Sequence, residues 1–314
     1  MKNVRKLTEG AILLAAFTVI LLVVIYVPVL GPLLNFVLPL PFMMFAAKNN
    51  MKYIGAFFVA AILLSFIAGS LFGISIMLIY GAVGTVIGYM LQKNRSRNSI
   101  LIAGSLMFIV GMIIFYVASA AFFHFNIIHE LTEMLKESTK MSQDMLKALG
   151  NEEQIKQLNQ QNANMIQMIQ TLAPGALIIA SIGSVFVIQW ICFPIIKRFG
   201  ISVQPWGKLR NLTLPKSLLW YYLIALGGML LFHPQEGTYV YLALINARYI
   251  LELFLVLQGM ACLFYIFHQR KVAKGLGVFI AILTFIIPII HYIIMLVGIT
   301  DIGFDFRKRF EKKE

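Results

Sequence analysis

From Gly10 to Leu30 the chain reads GAILLAAFTVILLVVIYVPVL, without one charged side chain. About twenty apolar residues in a helix rise roughly 30 Å, the thickness of a bilayer's hydrocarbon core. Lys2, Arg5 and Lys6 precede this run. Cations resist crossing, so these three are expected to hold the amino terminus in the cytoplasm and to set the direction of each later span. Pro28, Gly31 and Pro32 follow the run where a cleaved signal would carry a small-x-small site, so it is expected to remain as a span. Ala11 and Ala15 lie one helical turn apart within it, a spacing that admits a second helix closely.

The rest of the chain repeats the pattern. Hydrophobic residues make up 60% and charged residues 12% of the 314, too little charge to cover a water-soluble surface. The net charge of +13 would suit a nucleic-acid partner if the cations were scattered. Sixteen of the 26 Lys and Arg instead fall in short loops assigned to the cytoplasmic side, which is the positive-inside bias of a membrane protein. The expected partner is therefore the lipid bilayer, with no nucleic acid, and the expected location is a bacterial cytoplasmic membrane crossed many times. Cys192 and Cys262 sit inside apolar runs and point to neither a disulfide nor a metal site.

A short second run, Leu33–Ala47, holds Pro39 and Pro41 and should be kinked or broken. Tyr53–Phe72 and Ile74–Gln92 read as a tight hairpin turned at Gly69–Gly73, with Gly84 and Gly88 leaving a groove on the second arm. Ile100–Phe123, Ala176–Ile196, Leu218–Phe232, the run ending at Phe267 and Gly275–Gly298 complete the set. Nine crossings from a cytoplasmic start would leave the basic tail outside, against the charge rule. Either one run does not cross fully or the tail tolerates the outer side; Pro288 marks Gly275–Gly298 as one suspect, and Leu33–Ala47 is the other. The fold class is all-α, a polytopic bundle of eight or nine spans.

Between His124 and Thr171 the chain turns polar yet stays periodic. Ile127, Leu131, Met134, Met141, Met145 and Ala148 form one helical stripe; Ile155, Leu158, Met165, Ile169 and Leu172 form another. Gly150 suits the end of a helix, Asn151 a cap for the next, and Glu152 and Glu153 its first turn. An extracellular helical hairpin is expected, acting as a solvated spacer or as a lid or docking element. Its methionines, Met168 among them, offer an adaptable apolar surface.

Candidate chemistry is sparse. Asn246, Arg248 and Glu252, with Gln258 further along, form the strongest polar cluster of the apolar runs. Arg248 and Glu252 are four apart and share a face, so each is expected to neutralise the other, either at a ligand site or as an interfacial anchor. Asn35 beside the paired prolines would serve a ligand or satisfy a kink, and Gln189 would bind a ligand or bridge two helices. His291 would shuttle protons or simply pack. No metal-protease, phosphate-loop or nucleophile motif is present, so no catalytic residue, metal or cofactor is expected and the chain reads as a non-enzyme. Without an ATPase motif, active transport would need a partner or an ion gradient.

The block LTEGAILLAAF, VPVLGPLLNFVLPLPF and YGAVGTVIGYMLQK, between Leu7 and Gln92, resembles the YybS-like family of bacterial membrane proteins, as does the closing stretch Asp301-x-x-x-Asp305-Phe306-Arg307. More distantly, the first spans resemble the substrate-binding S component of energy-coupling-factor transporters. That second resemblance implies a six-helix core, here residues 1–123 and 174–200, interrupted by the 124–173 insertion. A basic cytoplasmic loop (201–217), C-terminal membrane helices (218–300) and a charged tail (301–314) follow. It also implies that Ala11-Ile12-Leu13-Leu14-Ala15 docks a membrane coupling subunit that works with an ATPase in trans, and that a small ligand sits near the outer face. Asn35, Gln189, Asn246, Arg248 and Glu252 are then the candidate ligand contacts, and Ala11 and Ala15 the docking residues. The competing expectation is a non-transporting scaffold or signalling protein that holds an envelope protein with its outer hairpin.

Overall fold

A computed structural model describes residues 2–123, 127–148 and 151–307. All regular structure among them is helical: α1 (Lys2–Tyr26), α2 (Gly31–Leu34), α3 (Pro39–Lys48), α4 (Met51–Gln92), α5 (Arg97–Phe123), α6 (Ile127–Ala148), α7 (Glu152–Arg198), α8 (Ser217–Phe232), α9 (Tyr239–Gln269), α10 (Lys274–Ile286) and α11 (Pro288–Phe304). Five of these helices, and the Gly31–Lys48 run that α2 and α3 make up together, are long and apolar enough to cross a membrane. This is an integral membrane protein. Residues 1–159 with 177–206, and residues 160–176 with 207–314, form two compact units. The 124–173 segment, expected as one insertion, is divided between them.

In the first unit the second run is interrupted by turns between α2 and α3, with Asn35 and Leu38 still in the helical region. Pro39 opens α3, where a missing amide leaves no bond unmade. α4 folds back on itself. Gly69 and Ser70 leave the helical region (Ser70 φ 51°), and the Tyr26 hydroxyl donates to the Ala68 carbonyl beside the break at 3.1 Å. The Gln92 side chain reaches the Asn49 carbonyl at 2.9 Å, so the two ends of the 42-residue helix lie together. α3 fills the expected groove: a Cβ on Gly84 would lie 2.5 Å from the Pro39 carbonyl oxygen, and one on Gly88 2.5 Å from that of Met43. Phe42 meets Phe17 and Phe57 edge to face, with centroids 5.0 and 5.3 Å apart. The Arg97 guanidinium lies over the Phe193 and Trp206 rings, which orders the segment leading to Pro205.

The polar segment forms two helices as its periodicity required. The Gln143 carboxamide of α6 donates to Asn159 Oδ1 of α7. Asn151 stands at the N-cap of α7 but its side chain makes no capping bond, contrary to expectation. Gly150, His124 and the tail cations Lys308, Arg309, Lys312 and Lys313 lie outside the described residues. The hairpin arm and the following span are one helix: α7 runs 47 residues, roughly 70 Å, more than twice a bilayer core.

The second unit holds the run that Pro288 marked as a suspect. Gly275–Gly298 is not one straight span, because α10 and α11 meet at 115° about Ile287 and Pro288. α10 starts beside the far end of α9, where a Cβ on Gly277 would strike Phe264. α11 then runs parallel to α9: His291 lies at Glu252, Gly298 at Leu255 and Gly259, Asp301 at Gln258. The pair thus climbs along α9 and returns. It leaves Arg307 bonded to the carbonyl of Arg210, at the basic loop. α9 and α11 touch backbone to backbone, since a Cβ on Gly259 would strike the Ile294 carbonyl oxygen and one on Gly298 that of Leu255.

Candidate functional site

In the second unit an open cavity of about 470 Å³ is lined by one turn after another of α7 and α9, with Glu236 and Tyr292 closing its sides. Two of the expected residues meet there. Arg248 and Glu252 both line it, as their four-residue spacing on α9 requires. They do not pair. The acid is taken by a neighbour the sequence could not supply: α11 brings His291 Nε2 to 3.5 Å from Glu252 Oε1. Arg248 is half-buried and has no hydrogen bond or ion pair to any described residue. Glu236 is held by Gln167, whose Nε2 donates to Oε2 at 2.6 Å.

Asn246 lies between the cavity residues Ile245 and Arg248 on α9 but does not line the cavity, and both of its amide hydrogens are used. Pro174 lacks an amide, so it interrupts the ladder of α7 at this level. The Asn246 carboxamide bridges the adjoining pair: Oδ1 accepts from the Gly175 N–H at 2.7 Å, and Nδ2 donates to the Thr171 carbonyl at 2.8 Å. Nδ2 also donates to Leu242 on its own helix. A Cβ on Gly175 would sit 2.7 Å from Oδ1, so a glycine is needed there. This side chain mends a helix and has no N–H left to donate to a ligand.

Gln258 is spent in a second polar cluster. Its Nε2 donates to Asp301 Oδ2 at 2.6 Å, and its Oε1 accepts from the Leu214 N–H at 2.9 Å. Arg307 Nε donates to the same Asp301 oxygen at 2.7 Å. Both charged side chains are nearly dry, at 3% and 11% exposure. Each also keeps hydrogen-bonding partners, which is the condition under which a buried ion pair persists.

The remaining candidates lie in the first unit. Gln189 is fully buried, and neither its Oε1 nor its Nε2 has a partner; the expected interhelical bond is not made. Asn35 Oδ1 is likewise buried and unpartnered. The space between these spans is filled by Phe17, Leu21, Met77, Ile87 and Ile188, all at 0% exposure. Ala11 and Ala15 are exposed on α1, while Leu13 between them is turned inward at 9% exposure. A 390 Å³ cavity beside this face is lined by Thr8, Glu9, Ile12, Leu13, Met44, Lys48 and Phe199, with Lys48 and Glu9 paired at 3.0 Å.

Residues 15–302 match the family described as "Predicted membrane protein (DUF2232)". The chain belongs to this DUF2232 family. It is 30% identical over 317 residues to "Uncharacterized protein YybS" of Bacillus subtilis (strain 168), covering 98% of this chain and 99% of that protein. No solved structure matches it. The resemblance read from Leu7–Gln92 and from the Asp301–Arg307 stretch therefore extends over the whole chain.

Sequence reasoning missed three contributors to the sites. Gln167 and Glu236 sit in segments read as spacer and turn, and Asp301 was read only as part of the tail and of the closing stretch that carries the family resemblance. Asp301 did carry a signal: it is an acid within a helical turn of the apolar run VGIT. No local pattern announced its partner Arg307, which reaches it only because α11 ends in a left-handed residue, Asp305 (φ 48°).

Proposed function

We propose that this membrane protein binds a small molecule in the cavity of its C-terminal unit, and that it does so as a non-catalytic subunit of a larger assembly. The observation that carries the reading is Arg248, a half-buried guanidinium without a partner that lines a solvent-open cavity. Ionisable groups at membrane depth are costly and mark pathways or sites by default. Placing the basic loops inside by the charge rule gives eight crossings, with α4 counted twice and α10–α11 as a re-entrant pair. Both termini then face the cytoplasm, and the cavity, at the start of α9, opens near the outer face. An S-component-like role in transport fits this arrangement. The exposed Ala11–Ala15 face would accept the coupling subunit and Ala15→Trp would block it; Leu13 faces the core and is the wrong residue to change.

The direct test adds a protein-free metabolite extract to the purified protein and follows thermal unfolding. The extract is expected to raise the midpoint of the wild type and not that of Met168→Trp, which fills the cavity from an exposed position. No shift in the wild type, or equal shifts in both, would refute the reading. The scaffold alternative keeps one observation in its favour: Leu131, Met134, Met141 and Met145 are all exposed along α6. Cross-linking from a cysteine at Met141 to an envelope protein, with no effect of the extract, would favour it.

A further inference from the structure

Taking the cavity to be a binding site, we propose that its ligand class is a small zwitterion, an oxyanion and an ammonium group on one short skeleton. Three charged side chains line the space, Arg248, Glu236 and Glu252. The guanidinium offers five donors and none is used by a described residue. Its planar fork suits a carboxylate or a phosphate. An anion alone, however, would enter beside two carboxylates. Those acids are not saturated: Glu236 accepts from Gln167, Glu252 faces His291 at the long distance of 3.5 Å, and each carboxylate has further lone pairs.

A cation alone would satisfy the acids and leave Arg248 bare. A molecule with both charges satisfies the whole set. Arg248 and Glu252 are one turn apart on α9, which separates their Cβ atoms by about 5–6 Å. That reach matches an oxyanion and an ammonium group a few bonds apart. Tyr241, Tyr249 and Tyr292 line the same space, and aromatic faces favour an ammonium group. The skeleton can belong to a free amino acid or short peptide, or to the phosphoethanolamine headgroup of a lipid; the recognising chemistry is the same.

The test measures the thermal midpoint of the full chain in detergent with the twenty amino acids, glycylglycine and phosphoethanolamine. Acetate, inorganic phosphate and ethylamine serve as single-charge halves. The same protein is also placed in nanodiscs of phosphatidylethanolamine or phosphatidylglycerol. At least one zwitterion is expected to raise the midpoint where its halves do not. Arg248→Gln and Glu252→Gln should each weaken that effect by about tenfold or more, with Arg248→Lys intermediate. Arg248→Gln should not lower the ligand-free midpoint, since the guanidinium has no described partner to lose. A soluble zwitterion acting in detergent identifies a free ligand; an effect confined to phosphatidylethanolamine nanodiscs identifies a headgroup. Equal protection by a single-charge half, or protection that survives Arg248→Gln, overturns the proposal. A midpoint raised by the metabolite extract but by no zwitterion overturns this ligand class and leaves the binding site standing.

Discussion

Gln189 of the first unit and the polar residues of α9 and α11 in the second meet the same problem, a polar side chain among apolar helices, with opposite outcomes. In the C-terminal unit Asn246, Gln258 and Asp301 are buried, and each has its hydrogen bonds made, two or more apiece. In the first unit Gln189 is fully buried with a carboxamide bonded to nothing described. A buried unpartnered amide costs on the order of 1–3 kcal/mol, while a satisfied one locks two elements together. The lesson is that burial of a polar residue does not identify a site. What distinguishes Arg248 is that it lacks a partner and also faces open space.

The sharpest way to break this contrast is to remove Asp301. Asp301→Ala leaves Arg307 charged, nearly dry and unpaired, which should cost about 3 kcal/mol or more. Thermal unfolding in detergent would show a lower midpoint and, with the tie to the Arg210 carbonyl loosened, faster proteolysis of the tail. A variant as stable as wild type would mean the cluster holds nothing. Asn246→Leu should cost less, about 2 kcal/mol, because it strands the Thr171 carbonyl and the Gly175 N–H beside Pro174. Hydrogen exchange should rise at Gly175, and protection unchanged there would refute the helix-mending role. Gln189→Leu is the smallest and has the opposite sign. Trading an unbonded amide for a methyl-bearing side chain should leave the midpoint unchanged or raise it by about 1 kcal/mol. A clear loss of stability would reveal a partner for Gln189 and erase the contrast.

Much of the fold was legible because its signals are local. Charge-free runs gave the helices, Gly69–Gly73 gave the turn of α4, and Gly84 and Gly88 gave the groove for α3. Pro288 marked the break that returns α11 along α9, although only the paired contacts reveal the return. The sites were less legible because their bonds span long distances in sequence. Spacing placed Arg248 and Glu252 on one face and implied a mutual ion pair, but His291 took the acid from α11. Asn246 resembled a ligand contact until Pro174, a breaker inside a 47-residue helix, supplied its real task. The expected pocket among the first spans is filled by side chains such as Phe17 and Met77 instead.

The central claim is that the functional opening belongs to the C-terminal unit and that the interior of the first unit is closed. Cysteine accessibility tests it most directly, in a background with Cys192 and Cys262, both free and buried, changed to alanine. A cysteine in place of Tyr249 in the cavity should react quickly with a water-soluble maleimide on the purified protein. One in place of Ser105, 3% exposed, should stay unmodified until the protein unfolds. Rapid labelling at Ser105 with protection at Tyr249 would contradict the account and move the site back among the first spans.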